Sequence, residues 1–268
     1  MKQPKTTIKL AIFDIDGVLR DSKGVPEKTS ELLRSLEKSG VQWTVATGRG
    51  FLRTRDLLPG LTPTAPLVTE GGGKIVDAEG NVLAFYPLQN EEIRQLAGPL
   101  QDEHLDMACF CRFSDGKYIL YSPEGTANES IKKWPIQTIA EVTTKFSEFQ
   151  NLAIHEKTAK IAILPKKGSE GMILIPFGVT HTINTRAYDF CSKFVGKHLA
   201  IETLARLVGM PLEETLFAGD DWNDVDTFAQ LPLGAKIAIG DCPASLRNLS
   251  TGWVRNLNDL ADEVKKYL

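Results

Sequence analysis

Apolar runs alternate with amphipathic stretches in the first third of the chain. Short apolar runs predict buried strands, and leucines three and four apart predict a helical face that ends at Gly40. The predicted strands are 9–14, 41–46 and 66–68, and the predicted helices are 26–39 and 50–58. Strands that alternate with helices are typical of parallel β-α-β units. We therefore expect a doubly wound α/β sheet.

The same alternation returns near the other end of the chain. It predicts helices at 195–208, 223–230 and 257–268 and strands at 215–218 and 235–239. The segment between the two α/β stretches begins with a predicted hairpin that turns at 79–81 and continues as mixed strands and helices. We expect a discontinuous core, 1–83 and 189–268, that brackets an inserted α+β domain, 84–188.

Composition narrows the classes of partner. A chain of 268 residues with 42% hydrophobic content can bury a sizeable core. Its 31 basic and 34 acidic residues give a net charge of -3, which provides no electrostatic reason to expect a nucleic acid or an anionic membrane as partner. Neither a signal peptide nor a disulfide framework is indicated, and no apolar run is long enough to span a membrane. We expect a cytoplasmic protein that binds a small metabolite, in an oligomeric state that the sequence does not indicate.

Two carboxylates follow the first predicted strand, in the segment Asp14-Ile-Asp16-Gly17. Open parallel sheets bind ligands at the carboxyl ends of their strands. A pair of carboxylates beside a glycine turn can share a divalent cation. An EF-hand loop is excluded, because its fifth and twelfth positions would be Val18 and Val25, which cannot coordinate calcium. Simple capping of the next segment remains the alternative.

Two further segments carry polar groups directly after predicted strands. The hydroxyl of Thr47 and the backbone N–H of Gly48 suit a phosphate oxygen, although both also suit ordinary helix capping. The run from Gly219 to Asp224 holds three carboxylates and an amide. Like charges so crowded repel each other unless a cation gathers them, and the alternative is a solvated acidic turn.

The order and content of these segments resemble the four motifs of the haloacid dehalogenase superfamily of phosphotransferases. Asp14 to Val18 resembles motif one, Thr47-Gly48-Arg49 motif two, Lys197 motif three and Gly219 to Asp224 motif four. Lys197 is preferred to Lys193 because 220 minus 197 gives 23, the spacing to motif four that is similar to the family's. The resemblance covers the two flanking stretches and not the middle.

The chain departs from the family pattern in four places. His198 replaces the usual glycine after the motif-three lysine, Val18 a frequent threonine, and Arg20 a common apolar residue. The run Glu70-Gly71-Gly72-Gly73 replaces a frequent Asn-Gly-Ala and is expected to form a hinge or a tight turn near the site.

The insertion lies between motifs two and three, because motifs one and two are only 33 residues apart, 47 minus 14. This placement resembles the C2-type cap of the Cof-like and sucrose-phosphatase-like sugar phosphatase branch. The resemblance implies a Rossmann-like core with an inserted α+β cap. Eukaryotic-type phosphomannomutases share the arrangement, so a sugar-phosphate mutase stays open beside a phosphatase.

The resemblance implies a magnesium-dependent phosphatase acting on a small phosphorylated metabolite. Asp14 would be the nucleophile, and Asp16 would be a general acid and base whose pKa is raised. Mg²⁺ would be held by Asp14, the backbone carbonyl of Asp16, Asp220 and Asp224, with Asp221 as an alternative to Asp224. The phosphate would be bound by Thr47, Gly48, Lys197 and Asn223. A silent binding protein and a dehalogenase are further alternatives, and the resemblance does not identify the ester.

Overall fold

The computed structural model describes residues 7–169, 171–173, 180–184 and 187–268. The chain divides into two compact units. We call Met1–Ala84 together with Gly196–Leu268 the core unit, and Phe85–Val195 the middle unit. The predicted domain boundaries at 83/84 and 188/189 stay predictions.

The first part of the chain alternates strands and helices. Its elements are β1 (Leu10–Phe13), α1 (Glu27–Lys38), β2 (Gln42–Val45), α2 (Phe51–Leu57), β3 (Leu67–Thr69), β4 (Lys74–Val76) and β5 (Val82–Phe85). β1 is apolar and buried at every position, as expected for a strand covered on both faces. The strands β3, β4 and β5 form a small sheet of their own, in that order.

The middle unit consists of one sheet with helices. Its elements are α3 (Asn90–Gln95), α4 (Ala97–Leu100), β6 (Leu105–Cys111), β7 (Tyr118–Tyr121), α5 (Glu129–Lys132), β8 (Ile139–Thr143), α6 (Phe146–His155), β9 (Lys160–Pro165), β10 (Thr180–Asn184) and β11 (Ala187–Cys191). The strand order is β10-β11-β9-β6-β7-β8, and only the β7/β8 pair is parallel among the pairings described. Phe149 of α6 packs on Phe110 of β6 with ring centroids 5.1 Å apart. The middle unit is therefore α+β.

The remaining elements complete the core unit. They are α7 (Lys197–Val208), β12 (Thr215–Gly219), α8 (Val225–Gln230), β13 (Ala235–Ile239), α9 (Ala244–Leu249), β14 (Gly252–Val254) and α10 (Leu260–Val264). The main sheet has the order β14-β13-β12-β1-β2, and every pairing in it is parallel. Ala11 and Phe13 of β1 share a hydrophobic cluster with α1 and α10. Leu10 and Ile12 share one with α7, α8 and α9, so helices cover both faces and the predicted doubly wound fold is confirmed.

The sequence pattern was less accurate for the last part of the chain. The final helix spans Leu260–Val264 after a 3₁₀ turn at Leu257–Asp259, rather than all of 257–268. The short helix predicted at 223–230 begins at Val225, again after a 3₁₀ turn. α9 and β14 were not predicted, because elements this short contain too few residues for a periodicity. In the described part of the chain, no helix is both long and apolar enough to cross a membrane.

Candidate active site

The site lies where β1 and β12 end side by side in the main sheet. Asp14 directly follows β1, Asp220 directly follows β12, and the two strands are paired in parallel. The backbone N–H of Asp14 donates to the carbonyl of Ala218, 2.9 Å away. The parallel register therefore brings two acidic segments, about 200 residues apart in sequence, to one edge of the sheet.

Lys197, the first residue of α7, bridges the two acidic segments. Its Nζ lies 2.9 Å from Oδ2 of Asp14 and 2.7 Å from Oδ1 of Asp224. It also donates to Oδ1 of Asn223 at 3.3 Å. Burial disfavours the charged ammonium, but Asp14 and Asp224 outweigh burial and raise the pKa of Lys197 above its usual value. The lysine is therefore a fixed positive charge.

Three carboxylates crowd around this lysine. Asp14, Asp220 and Asp224 each offer an oxygen, and these oxygens all lie within 4.8 Å of one another. Burial, with a smaller contribution from Asp224, raises the pKa of Asp14 to about 6. Burial and then the charges of Asp14 and Asp224 raise the pKa of Asp220 to about 8. The three negative charges are therefore unfavourable together in the absence of a further cation.

The donor set fits the predicted magnesium ion. All three side chains supply hard oxygen ligands, which Mg²⁺ prefers over nitrogen or sulfur. Oδ1 of Asp220 is buried and has no hydrogen-bond partner among the described residues. A buried acceptor without a donor is costly, and a bound cation would satisfy it.

Asp224 is the second motif-four carboxylate beside Asp14 and Asp220. Its Oδ2 accepts the backbone N–H groups of Asp220 at 3.0 Å and of Asp221 at 3.3 Å. The carboxylate of Asp221 instead accepts the N–H of Trp222 at 2.8 Å. Of the two candidates left open by the sequence, the structure thus brings Asp224 into the group of three.

Gly17 allows the loop after β1 to approach the loop after β12. Its φ of +80° lies in the left-handed region that favours glycine. A Cβ atom at Gly17 would lie 1.9 Å from Oδ2 of Asp220. Any side chain here would collide with a member of the carboxylate group.

Asp16 lies outside the carboxylate group and binds two arginines instead. Its Oδ1 accepts from Nη1 of Arg20 at 2.9 Å, and its Oδ2 accepts from Nε of Arg49 at 2.6 Å. Burial alone would raise the pKa of Asp16, but the two guanidinium groups outweigh burial and lower it below its ordinary value. The expectation of a raised pKa is therefore wrong for this arrangement, because both arginines stabilise the carboxylate.

The two arginines were missed as partners of Asp16. Arg49 belongs to the segment that resembles motif two, and Arg20 departs from the family pattern, but neither observation indicates a contact with Asp16. A signal for Arg20 was available in its separation of four residues from Asp16. Arg49 is 33 residues from Asp16, so only the tertiary structure could reveal that contact.

The predicted phosphate-binding turn, Thr47-Gly48-Arg49, follows β2 at the same edge of the sheet. β2 pairs with β1, with Val45 opposite Phe13. Thr47 is buried, its backbone N–H donates to the carbonyl of Val68 at 3.0 Å, and its Oγ1 accepts the N–H of Arg49 at 3.3 Å. The turn is therefore held by backbone contacts beside the strand that carries Asp14.

The glycine run after β3 forms a tight turn next to this segment. Glu70 has a φ of +55°, unusual for a residue with a side chain, and forms a buried ion pair with Lys74 at 3.0 Å. The N–H of Gly71 donates to the carbonyl of Thr47 at 2.9 Å. A Cβ at Gly72 would lie 2.4 Å from the carbonyl oxygen of Gly196, just before α7. The turn thus contacts both the Thr47 segment and the start of the helix that carries Lys197.

Comparisons with known proteins identify the family of the chain. The family model described as haloacid dehalogenase-like hydrolase matches residues 11–261, and the chain belongs to that family. The predicted family and the prediction of a hydrolase are therefore confirmed.

Two relatives and one solved structure illustrate the similarity. The Mycoplasma genitalium protein MG265, provisionally named a phosphatase, is 25% identical over 280 residues, covering 97% of this chain and 99% of its own. The HMP-PP phosphatase of Yersinia pseudotuberculosis is 25% identical over 247 residues, covering 89% and 86%. The sugar phosphatase BT4131, of subclass IIB of the family, has a TM-score of 0.75 at 19% identity, covering 97% of this chain and 98% of its own. The similarity of BT4131 over nearly the whole of both chains supports the predicted α/β fold.

Proposed function

We propose that this protein is a magnesium-dependent phosphatase that hydrolyses a small phosphate monoester through an aspartyl-phosphate on Asp14. The observation that supports the proposal most is the bridge that Lys197 makes between Asp14 and Asp224, with Asp220 alongside. A nucleophile, a fixed positive charge and a set of oxygen ligands then share one ligand-binding edge.

The reaction proceeds in two steps. In the first, a carboxylate oxygen of Asp14 attacks phosphorus, the bond from phosphorus to the ester oxygen breaks, and the leaving oxygen takes a proton from Asp16. In the second, water attacks the phosphorus of the acyl phosphate while Asp16 accepts a proton from that water. The bond from phosphorus to Asp14 breaks, which returns the carboxylate and releases inorganic phosphate.

The arginines around Asp16 favour the second of these steps. Arg20 and Arg49 stabilise the ionised carboxylate, which is the form that accepts a proton from water. For the first step, Asp16 must take up a proton and turn at least one oxygen from its guanidinium partner to the leaving oxygen.

The phosphoryl oxygens bind to positive and hydrogen-bonding groups of the core unit. Lys197 supplies the charge, and Thr47, Gly48 and Asn223 supply hydrogen bonds as charge spreads over these oxygens. The groups that would hold Mg²⁺ are Asp14, Asp220, Asp224 and the backbone carbonyl of Asp16, and the bound ion would offset the repulsion between the nucleophile and the phosphate.

We assign substrate selection to the middle unit, in the manner of a cap. All of the proposed chemical groups belong to the core unit, so the middle unit is left to contact the non-reacting part of the ester and to exclude water. Two of the similar proteins are named an HMP-PP phosphatase and a sugar phosphatase, which supports a small phosphorylated metabolite as the substrate here.

The test is a panel of phosphate esters incubated with the protein, with magnesium and with a chelator. Release of inorganic phosphate that requires magnesium, and that is lost in Asp14→Asn, supports the proposal. A sugar-phosphate mutase would instead isomerise its substrate and require a bisphosphate activator. Absence of magnesium-dependent release across the panel would contradict the proposed function.

A further inference from the structure

Arg20 occupies a fixed position next to the proposed general acid. Its backbone N–H donates to the carbonyl of Ile15 at 3.0 Å, and its own carbonyl accepts the N–H of Gly17 at 2.9 Å. These bonds close a tight loop that begins directly after the nucleophile, Asp14. The backbone from which the Arg20 side chain extends is therefore held in place by the fold.

The guanidinium of Arg20 has an N–H group that lacks an acceptor among the described residues. Nη1 binds Oδ1 of Asp16, whereas Nε is buried and has no partner among the described residues. Asp16 divides its two oxygens between Arg20 and Arg49, so each of its oxygens already accepts from a guanidinium group. A buried guanidinium N–H without an acceptor is unfavourable, and an anionic oxygen would satisfy it.

The proposed reaction increases this imbalance. When an oxygen of Asp16 forms a hydrogen bond with the leaving oxygen of the ester, that Asp16 oxygen is no longer available to a guanidinium group. A hydrogen bond from Asp16 to the leaving oxygen puts the Arg20 guanidinium within about 8 Å of it. A carboxylate or phosphoryl group a few bonds beyond the ester oxygen lies within that distance.

We propose that Arg20 is a specificity-determining residue, and that the physiological substrate carries a second anionic group close to the ester oxygen. This inference rests on the proposed function. Phosphorylated hydroxy acids and bisphosphate esters share the required chemistry. Guanidinium groups form bidentate hydrogen bonds with both carboxylate and phosphoryl groups. An apolar residue at this position could bind neither.

The experiment compares matched esters with and without the second anion. Phosphoglycolate and ethylene glycol bisphosphate are each paired with hydroxyethyl phosphate, so that a carboxylate and a phosphoryl group are tested separately as the second anion. We expect wild type to prefer at least one anionic ester by about 10- to 100-fold in kcat/KM. A ratio near one for both pairs would overturn the inference.

Variants assign the preference to Arg20. Arg20→Leu should reduce the ratio of anionic to neutral ester by about 10- to 100-fold, and Arg20→Lys should reduce it less because the charge is kept. The control is Arg34→Leu, because Arg34 lies on α1 in an exposed pair with Glu27 and should leave the ratio unchanged. An equal loss on both members of each pair would show that Arg20 acts only through Asp16 and not on a second anion, which would contradict the inference.

Binding separates this inference from the proposed function. Calorimetric titration of Asp14→Asn with the same esters, in the presence of magnesium, measures the preference without turnover. Preferential binding together with no hydrolysis by wild type would retain the inference and refute the function, and hydrolysis without preference would do the reverse. If Arg20→Leu fails to unfold cooperatively, Arg20→Lys and the wild-type ratios decide.

Discussion

Each unit of the molecule contains a buried lysine that pairs with acid, but the two surroundings differ. In the core unit, Lys197 contacts Asp14 and Asp224, and Asp220 lies beside them. In the middle unit, Nζ of Lys160 on β9 lies 2.9 Å from Oδ2 of Asp189 on β11. Burial disfavours both ammonium charges, and the neighbouring acids raise both pKa values regardless.

The difference lies in the balance of charge. Around Lys197, three carboxylates exceed one lysine, and the buried Oδ1 of the half-buried Asp220 has no donor among the described residues. Beside Lys160 lies the buried thiol of Cys109, whose pKa burial raises to about 12, so that it stays neutral. The described residues of the middle unit contain no group of three metal-ligating side chains. An excess of charge thus indicates a ligand site, whereas a cross-strand pair of opposite charges indicates a structural contact.

Replacing the nucleophile should produce the largest effect. We expect Asp14→Asn to lower kcat at least about 1,000-fold, because an amide cannot form the acyl phosphate. Phosphate release measures the loss, and circular dichroism checks that the fold is kept. Asp221→Asn is the matched control, because Asp221 lies outside the carboxylate group. Residual activity within about tenfold of wild type would remove Asp14 from the role.

The ion pair between Lys160 and Asp189 should contribute to the stability of the fold. Lys160→Met leaves the Asp189 carboxylate buried without its lysine, and we expect it to lower the free energy of unfolding by about 3 kcal/mol. Denaturant unfolding measures this change. The same variant should keep the wild-type dependence of activity on magnesium. A changed magnesium dependence with unchanged stability would mean that the contrast between the two lysines is wrong.

The carboxylate group can be tested one member at a time. We expect Asp220→Ala to raise the half-saturating magnesium concentration at least about tenfold, because it removes an oxygen ligand. Asp221→Ala should change it far less, because Asp221 caps the Trp222 turn instead. Magnesium titrations of the two variants make the comparison, and equal shifts would contradict the ligand assignment.

The close approach at Gly17 should give the smallest effect. Gly17→Ala places a Cβ against Asp220 and should cost about 1 kcal/mol more stability than Gly60→Ala. Gly60 is a suitable control because its φ, +72°, is close to that of Gly17 and a Cβ there would meet nothing within 4 Å. Thermal unfolding of both variants measures the difference. Equal losses would show that the backbone strain, and not the contact with Asp220, makes glycine necessary.

Much of this arrangement could be predicted from the sequence. The unbroken apolar run of β1 and the amphipathic pattern of α1 both indicate burial, and each pattern is a local property of the chain. Because parallel strands end at a common edge, polar residues that follow two such strands meet there if the strands are neighbours. The residue types of Asp14 and Asp220 could thus be recognised in the sequence, whereas the pairing of β1 with β12 came from the structure.

Only the tertiary structure decided which charged groups touch. Asp224 rather than Asp221 belongs to the carboxylate group. Asp16 lies outside that group and binds Arg49, 33 residues away. Periodicity shows which face of an element is buried, but the partner of a charged side chain depends on strand register and on loop conformation. The Lys160 and Asp189 pair, 29 residues apart, has the same origin, because pairing of β9 with β11 brings the two side chains together.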